Sequence, residues 1–507
     1  MELINSIVGL INYNRLYQID DFRKNPIRVQ TETFDKLLCF AINTEFGKKY
    51  NFKNIKNYSD FTKNVPIHDY DEFKPYIEKI MKGEKNITWP SEIKWFAKSS
   101  GTTSDKSKYI PISKESLEEC HFQSGKDIYI IYADLKPNTK IFVGKSLIIG
   151  GSTNVNLQNE KSYYGDLSAI IIKNLPFWTY FHRLPSEEIA LIEEWEKKLE
   201  RIVNTTLHKN VTNIVGVPSW FLVLFKRILD ETEKSNIHEV WPNLELFIHG
   251  GISFTPYRSI YEKLLPSRNM NYLETYNASE GFFGIQDEFN KGKNDMLLML
   301  DYGIFYEFIS MKDYNSGNLK AIPLEDVETD TNYAIVISTN GGLWRYLIGD
   351  TVTFTSKNPY KIKVTGRTRH FINAFGEEVI IENAQKAIKE ACDKTDSQIR
   401  DYTAAPIYMN RDDKGSHQWL FEFITEPSDI NKFMRILDNT LKQVNSDYEA
   451  KRYKNLTLDF PQHIILKQET FYEWLKQKNK LGGQNKVPRL SNSREYVEEL
   501  IKINEKL

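Results

Sequence analysis

Apolar residues recur along this chain at two spacings, one typical of helices and one typical of strands. In the first ninety residues the spacing is helical, and the residues sharing one face near position 37 are Phe34, Leu37, Leu38 and Ala41. Residues 69–81 repeat this pattern, and another helix is predicted after Ser113, a residue suited to an N-cap. Farther on, short apolar runs alternate with helical stretches, and the strand-like runs are 109–112, 146–149, 169–172, 211–217, 244–248, 271–274 and 334–338. This alternation predicts an α/β architecture in which helices flank buried sheets.

The pattern changes near residue 366, where a strand-like run gives way to a polar and basic segment. Beyond it the sequence predicts helices at 382–392 and 429–445 and strands at 403–409, 419–424 and 463–466. A chain of 507 residues is longer than most single domains. We therefore predict a large domain over residues 1–366, a hinge over 367–375 and a small α+β domain over 376–507.

Charge and cysteine content narrow the functional classes. The formal net charge is −1, whereas nucleic-acid-binding proteins usually have a basic excess, so nucleic acid is not expected as a partner. The three cysteines lie far apart, which argues against disulfides and zinc sites and fits a reducing compartment. Neither a signal peptide nor an apolar run of about 18 residues is visible, so we expect a cytoplasmic monomer without a membrane partner.

Residues 98–108 combine six hydroxyl side chains, one glycine and three lysines in eleven positions. Hydroxyl and backbone N–H groups donate hydrogen bonds and lysine adds positive charge, a combination that suits the triphosphate of a nucleotide. The GxxxxGK[ST] spacing of the P-loop is absent and no helix follows directly, so this segment is not a P-loop. A mobile loop without a ligand is the alternative.

Later segments carry residue types that suit the rest of a nucleotide. Gly250 and Gly251 follow a strand-like run and let the backbone approach a flat ligand closely. In residues 274–281 a tyrosine can stack on a purine, a serine can donate to phosphate and a carboxylate can bind Mg²⁺. Asp350 suits the ribose hydroxyls, and Arg367 suits ribose or phosphate. For each segment taken alone, an ordinary turn or a solvated charge is the alternative.

The order and separation of these segments resemble the acyl-adenylate-forming superfamily, which includes acyl-CoA synthetases and firefly luciferase. Within it the chain looks like a member of the auxin-responsive (Gretchen Hagen) acyl acid amido synthetase family, whose plant members join auxin or jasmonate to amino acids. The residues that carry the resemblance are 99–103, 276–280, 342–346 with 349–350, 366–367 and 483–489. The resemblance spans most of the chain, and it implies an adenylate-forming N-terminal domain and a mobile C-terminal domain.

For the triphosphate, the resemblance implies that the polar loop wraps the β- and γ-phosphates. The residues concerned are Ser99, Ser100, Gly101, Thr102 and Thr103. It further implies that Lys108 lies near the leaving pyrophosphate, that Ser279 contacts the α-phosphate and that Glu280 binds Mg²⁺. ATP and Mg²⁺ are therefore the expected cofactors.

For the nucleoside, the resemblance implies that Tyr276 lies against adenine and that Asp350 binds the ribose hydroxyls with Arg367 beside it. Gly251 is expected to contribute backbone at the nucleotide. Lys486 follows two glycines and precedes a proline, and it would swing in with the small domain to stabilise charge during adenylation. Lys486 and Glu280 are thus the candidate catalytic residues.

The implied reaction is ATP-dependent adenylation of a carboxylic acid, followed by transfer of the acyl group to an amino acid amine. The helix after Ser113 is expected to line the acid pocket. Its candidate contacts are His121, Gln123 and Ser124, although a structural histidine is the alternative for the first. The partners expected from this interpretation are a small carboxylic acid and an amino acid.

The sequence departs from the plant pattern in two places. Leu347 and Ile348 stand where the plant signature has a second arginine, and residues 375–378 stand where it has a lysine. The hormone substrates of the plant members are therefore not assigned to this chain. The chain is interpreted as a divergent member of bacterial type. An acyl-CoA ligase with the same adenylate intermediate, a nucleotide-binding regulatory protein without catalysis and a purely structural α/β protein remain open as alternatives.

Overall fold

The structure, a computed structural model, describes residues 2–99, 108–150, 156–159, 161–175, 182–192, 194–289, 295–368, 371–409, 414–453, 457–478 and 488–507. The α-helices of these residues are α1 (Glu2–Lys24), α2 (Pro26–Ala41), α3 (Glu45–Lys49), α4 (Tyr58–Asn64), α5 (Tyr70–Met81), α6 (Gln123–Leu135), α7 (Leu167–Asn174), α8 (Glu187–Ala190), α9 (Trp195–Thr206), α10 (Pro218–Thr232), α11 (Arg258–Leu264), α12 (Met311–Asn315), α13 (Ile381–Thr395), α14 (Ile430–Val444), α15 (Ser446–Arg452), α16 (Thr470–Gln477) and α17 (Glu495–Lys506). None of the described helices is both long and apolar enough to cross a membrane.

The strands of the same residues are β1 (Trp95–Ser99), β2 (Lys108–Ile112), β3 (Lys145–Ile149), β4 (Asn156–Asn159), β5 (Ser162–Gly165), β6 (Arg183–Leu184), β7 (Val211–Gly216), β8 (Leu246–Gly250), β9 (Asn271–Ala278), β10 (Gly281–Ile285), β11 (Met296–Leu298), β12 (Ile304–Ser310), β13 (Ile322–Pro323), β14 (Asn332–Thr339), β15 (Tyr346–Lys357), β16 (Tyr360–Arg367), β17 (Phe371–Ile372), β18 (Val379–Ile380), β19 (Gln398–Ile407), β20 (Ser416–Thr425) and β21 (Gln462–Leu466).

The predicted helices of the N-terminal region are present, and their ends follow the sequence signals. In α2 the predicted face is buried, with Phe34 and Leu37 in the core. Helix α5 begins with a capping box, in which the backbone N–H of Glu72 donates to Asp69 and the Glu72 carboxylate accepts from the backbone N–H of Asp69. These contacts satisfy two of the N–H groups that a helix start leaves unpaired.

A twelve-stranded sheet forms the centre of the large domain, in the order β13-β12-β14-β15-β16-β11-β10-β9-β8-β7-β3-β6. Strands β9, β8, β7, β3 and β6 are parallel, and pairing becomes antiparallel between β9 and β10. The parallel strands therefore all end at the same edge of the sheet. This edge is close to the point at which pairing changes from parallel to antiparallel. Such an edge is the usual ligand-binding position in open α/β sheets.

Two glycines allow the parallel strands to end in close contact. A Cβ atom on Gly216 would lie 2.7 Å from the carbonyl oxygen of Ile149, and a Cβ atom on Gly250 would lie 2.5 Å from that of Thr275. Both separations are shorter than side chains tolerate, so glycine is required at these two strand ends. The first glycine of the Gly250–Gly251 pair thus has a packing role.

The helix predicted after Ser113 is present, with an unusual first half. The Ser113 hydroxyl accepts a hydrogen bond from the backbone N–H of Ser116, as predicted for an N-cap, and donates to the carbonyl of Asn340. Residues Ser116–Phe122 then form a π-helix that continues into α6. Long π-helical stretches are rare and occur frequently at functional sites. Here the stretch packs on β10, where the backbone N–H of Phe282 donates to Cys120 Sγ.

One predicted strand is wrong. Residues 169–172 lie within helix α7, whose first turn is closed by hydrogen bonds from the backbone N–H groups of Ala169 and Ile170 to the carbonyl of Asp166. A short apolar run has no periodicity that separates a buried strand from one turn of buried helix. Asp166, at the N-cap position, is the local signal that favours the helix.

The C-terminal region has its own three-stranded sheet, in the order β19-β20-β21, with α13 and α14 packed together. It also shares a hydrophobic cluster with the parallel half of the large sheet. At the junction the Tyr257 hydroxyl donates to the carbonyl of Ala374 at 2.6 Å, and the side chain of Phe375 is fully buried. The predicted hinge segment is thus packed against both parts of the chain.

Candidate functional site

Asp350 and Arg367 are cross-strand partners on β15 and β16. Arg367 and Asp350 form an ion pair in which Arg367 Nε lies 3.0 Å from Asp350 Oδ1, and both side chains are largely shielded from solvent. The two residues are 17 positions apart in the sequence, and the tight connection between the strands brings them together. An aspartate and an arginine predicted to bind one ribose are therefore in direct contact.

Tyr276, on a third strand, also contacts Asp350. It lies on β9, its ring is buried against Phe283 with the ring centroids 4.9 Å apart, and its hydroxyl donates to Asp350 Oδ2 at 2.8 Å. Asp350 Oδ2 thus accepts a hydrogen bond from Tyr276, while Oδ1 faces Arg367 in the ion pair. Because a carboxylate has about four lone-pair positions, each oxygen keeps capacity for another donor.

Glu280 lies beside this cluster, in the turn between β9 and β10 that also contains the half-buried Ser279. Burial raises the pKa of Glu280 to about 7, and the charge of Lys108 opposes that rise. The nearby charges of Asp350 and Arg367 act on the same carboxyl in opposite directions. Glu280 is therefore electrostatically part of the group formed by Asp350, Arg367 and Lys108.

Lys108 is buried at the start of β2, with its ammonium group 5.5 Å from the ring centroid of Tyr70. Its cross-strand partner is Ser99, at the end of β1. Residues 99 and 108, which flank the polar segment, therefore lie at adjacent positions of a four-stranded sheet with the order β2-β1-β5-β4. Ser100, Gly101, Thr102, Thr103 and Lys486 lie outside the described residues, as does the side chain of Ser99, so their roles stay predictions.

Gly251 has the conformation that its predicted role requires. Its φ is +81°, in the left-handed region that favours glycine, and only Val217 Cγ2 would come within 4 Å of an added Cβ, at 3.8 Å. The space above it is thus largely open. Its carbonyl oxygen accepts a hydrogen bond from Asn373 Nδ2 at 3.5 Å, which links the edge of the parallel strands to the predicted hinge.

Two of the three side chains predicted to contact the acid already have hydrogen-bond partners within the fold, and the third is buried. The Ser124 hydroxyl donates to the carbonyl of His121, and Gln123 Nε2 donates to Asp127 Oδ1 at 2.8 Å. Asp127 in turn pairs with Arg15. His121 is buried, and burial lowers its pKa to about 4. Contact with a substrate stays a prediction for all three.

The segment 342–346, one part of the family pattern, fixes the fold beside the site. Arg345 is in the left-handed region with φ +40°, and its guanidinium forms a buried ion pair with Glu307 at 2.8 Å. Its Nη1 also donates to the carbonyl of Val65, and the Tyr58 hydroxyl donates to Glu307. Glu307 is not among the predicted residues, although a charged residue within the apolar strand β12 is a signal of a buried pair.

A second missed residue is Glu378, which contacts Arg367, the arginine predicted at the nucleotide, from beyond the predicted hinge. Its carboxylate accepts from both terminal nitrogens of Arg367, at 3.1 and 3.3 Å. No sequence pattern identifies it, because the contact depends on how the segment after β17 folds back.

Buried histidines make stability depend on pH. Burial lowers the pKa of His249 to about 3, and its ring stacks on Phe254 with centroids 4.2 Å apart. Because the unfolded chain takes up a proton near pH 6.5 and the folded chain does not, stability is lost as pH falls below about 6.5, by about 1.4 kcal/mol per pH unit for this residue. We expect His249→Phe to reduce the loss between pH 6.5 and 5, measured by urea unfolding. The exposed His208, replaced by glutamine, is the control, and an unchanged slope in His249→Phe would contradict the assignment.

Solved structures of two ligases share this fold. One is a GH3.15 acyl acid amido synthetase, with a TM-score of 0.61, 18% identity and coverage of 97% of this chain and 95% of that chain. The other is a 2-hydroxyisobutyryl-CoA ligase in complex with an acyl-AMP and CoA, with a TM-score of 0.55, 13% identity and coverage of 96% and 93%. The predicted α/β fold class, with a large N-terminal and a smaller C-terminal domain, is confirmed.

Family models match almost the whole chain. They are the GH3 family N-terminal domain over residues 15–270, the GH3 family central domain over 297–367 and the GH3 family C-terminal domain over 382–495. This chain belongs to the GH3 family, as the resemblance predicted. Similar curated proteins include a 4-substituted benzoates-glutamate ligase of Arabidopsis thaliana, 21% identical over 94% of this chain and 95% of the relative. A jasmonoyl-L-amino acid synthetase of Oryza sativa subsp. japonica is 24% identical over 92% and 93%.

Proposed function

We propose that this chain is an AMP-forming ligase that joins a carboxylic acid to an amino acid through an acyl-AMP intermediate. The observation that carries the proposal is the contact of Asp350 with Tyr276 and Arg367, beside Glu280 and Lys108. Four of these residues come from separate strands and Glu280 lies in the turn between β9 and β10, and each of the five was predicted at a nucleotide. Family membership and the names of the curated relatives support the same reaction class.

In the first step a carboxylate oxygen of the acid attacks the α-phosphorus of ATP. The bond to the bridging oxygen of the β-phosphate breaks, and pyrophosphate leaves with the electron pair. Oriented reactants and fixed positive charge account for most catalysis of this kind. We propose that Asp350 holds the ribose hydroxyls, that Tyr276 lies against adenine and that the loop 99–103 with Lys108 and Lys486 neutralises the phosphates.

The residues present fit a Mg²⁺ ion that arrives with the nucleotide. Among the described residues no group of three or more His, Cys, Asp or Glu side chains is arranged to hold a metal. Mg²⁺ commonly binds through one or two carboxylates and substrate phosphates, so the single half-buried carboxylate of Glu280 suits it. When bound, the ion would screen the negative charge of the triphosphate. Glu280 would supply its protein ligand.

In the second step the amine of an amino acid attacks the carbonyl carbon of the acyl-AMP. The bond from that carbon to the AMP oxygen breaks, AMP leaves and the nitrogen loses a proton. We propose that the small domain, residues 376–507, rotates about the hinge at 367–375 between the two steps and withdraws Lys486. The enzyme would act as a cytoplasmic monomer, which fits the three free cysteines.

Pyrophosphate release across a panel of carboxylic acids tests the first step. We expect at least one acid to stimulate release, and mass spectrometry of mixtures with amino acids and with CoA should then show an amide.

In Asp350→Asn, which loses the charge facing Arg367, we expect ATP affinity to fall by about 10-fold or more. Asp393→Asn, which alters an exposed ion pair in α13, is the control.

The outcomes separate the alternatives. A thioester with CoA and no amide with any amino acid would assign the second step to an acyl-CoA ligase. ATP binding without pyrophosphate release for any acid would favour a regulatory protein. Absence of ATP binding by calorimetry would refute the nucleotide site itself.

A further inference from the structure

The guanidinium of Arg367 lies between two carboxylates of different origin. Its Nε lies 3.0 Å from Oδ1 of Asp350, an ion-pair partner on the neighbouring strand of the large sheet. Its Nη2 and Nη1 donate to Glu378 Oε1 at 3.1 Å and Oε2 at 3.3 Å. The Nε side of the Arg367 guanidinium therefore faces Asp350, the proposed ribose-binding residue. The two terminal nitrogens face Glu378, which follows the proposed hinge.

Glu378 is itself fixed in position. Its φ of +41° lies in the left-handed region, which a glutamate rarely adopts, and its carbonyl oxygen accepts a hydrogen bond from Asn445 Nδ2 at 3.0 Å. It directly precedes β18, and the opposite strand, β17, begins with Phe371, whose ring centroid lies 5.3 Å from the Arg367 guanidinium carbon. The surrounding structure thus holds an unfavourable backbone conformation that aims this carboxylate at Arg367.

The consequence for Asp350 follows from counting lone pairs. Tyr276 uses one lone-pair position on Oδ2 and Arg367 Nε lies against Oδ1 in an ion pair, so positions remain on both oxygens for two ribose hydroxyls. Arginine prefers to bind a carboxylate through two nitrogens. Without Glu378, the guanidinium would turn to donate two hydrogen bonds to Asp350, and these bonds would occupy positions that the ribose needs.

We propose that Glu378 is a positioning residue that keeps Asp350 available to the ribose hydroxyls by holding the two terminal nitrogens of Arg367. The inference rests on the proposed function, because it assumes that Asp350 binds the ribose of ATP. It also gives the small-domain side of the hinge a direct connection to the nucleotide site. Nucleotide recognition and the position of that segment would then depend on each other.

Calorimetric binding of ATP and of 2′-deoxy-ATP, with Mg²⁺ and without an acid, tests the proposal. We expect the unmodified protein to bind ATP about 10-fold more tightly than 2′-deoxy-ATP. In Glu378→Gln, which keeps the size of the side chain but loses its charge, we expect the ratio to fall below about 3-fold. Glu378→Asp, which keeps the charge, should restore part of the ratio. Glu390→Gln, which alters an exposed pair with Lys394, is the matched control.

The ratio is informative because a merely structural role of Glu378 would weaken both nucleotides alike and leave it unchanged. An unchanged ratio in Glu378→Gln therefore overturns the positioning role and leaves the proposed function intact. Equal binding of both nucleotides by the unmodified protein also overturns it, because Asp350 then does not read the ribose. If the unmodified protein binds neither nucleotide, the proposed function fails and the role of Glu378 with it.

Discussion

Replacing Lys486 by alanine is expected to slow pyrophosphate release by about 10²–10³-fold while ATP affinity changes by less than about 3-fold. The reason is that the lysine would act on charge that develops during adenylation rather than on bound ATP. Pro488, two positions later, is fixed to the small domain: its carbonyl accepts from the Thr403 hydroxyl at 2.6 Å, and Arg489 pairs with Asp401. The lysine would therefore travel with that domain. Single-turnover pyrophosphate release and calorimetry measure the two quantities.

Lys476→Ala provides the matched control for this experiment. Lys476 is an exposed lysine of the same domain that pairs with Glu473 one helical turn away. Its loss should leave adenylation within about 2-fold of the unmodified rate, because exposed pairs contribute little. Adenylation in Lys486→Ala at the unmodified rate would show that this lysine has no part in the first step, and a regulatory function would gain support.

The second large effect is expected on stability. Glu307→Gln should lower the free energy of unfolding of the large domain by about 3–5 kcal/mol, because it leaves the guanidinium of Arg345 buried without a counter-charge. The Glu307 and Arg345 side chains are 0% and 5% exposed, so the pair is shielded from bulk solvent. Urea unfolding followed by tryptophan fluorescence is the measurement, since Trp344 is fully buried next to Arg345.

Two further variants make this prediction specific to the buried pair. The double variant Glu307→Leu with Arg345→Met should recover most of the loss, because apolar replacement of a buried ion pair is often neutral. Glu45→Gln breaks the exposed pair with Lys79 and should cost less than about 1 kcal/mol. If Glu307→Gln unfolds at the same urea concentration as the unmodified protein, the pair does not stabilise this part of the fold.

The sequence indicates candidate site residues more readily than it indicates their contacts. Asp350 and Arg367 are candidates by residue type and by resemblance, and the short connection between two long strands makes their pairing foreseeable. The contact of Glu378 is not foreseeable, because it depends on a left-handed backbone conformation and on packing beyond the predicted hinge. Glu307 and Arg345 are 38 positions apart, and β14 lies between their segments, so only the folded sheet reveals the pair.

Long helical periodicity predicted the element type reliably, whereas short apolar runs gave mostly correct strands and one error. Helix α14 agrees with the predicted range 429–445, and the short runs 109–112 and 146–149 lie in strands β2 and β3. The apolar run 169–172 is too short for its period to be read, and it is helical. The π-helix Ser116–Phe122 has no sequence signature, since its apolar face also fits an ordinary helix.

The burial of Phe375 at the junction has a consequence for the independence of the two domains. Cleaving the chain at this junction would remove the Phe375 side chain from its packing partners. It would also expose apolar surface on the larger fragment. Neither piece would then be a self-sufficient module. Fusing this C-terminal region to a different adenylate-forming domain would therefore require that domain to provide an apolar pocket that fits Phe375.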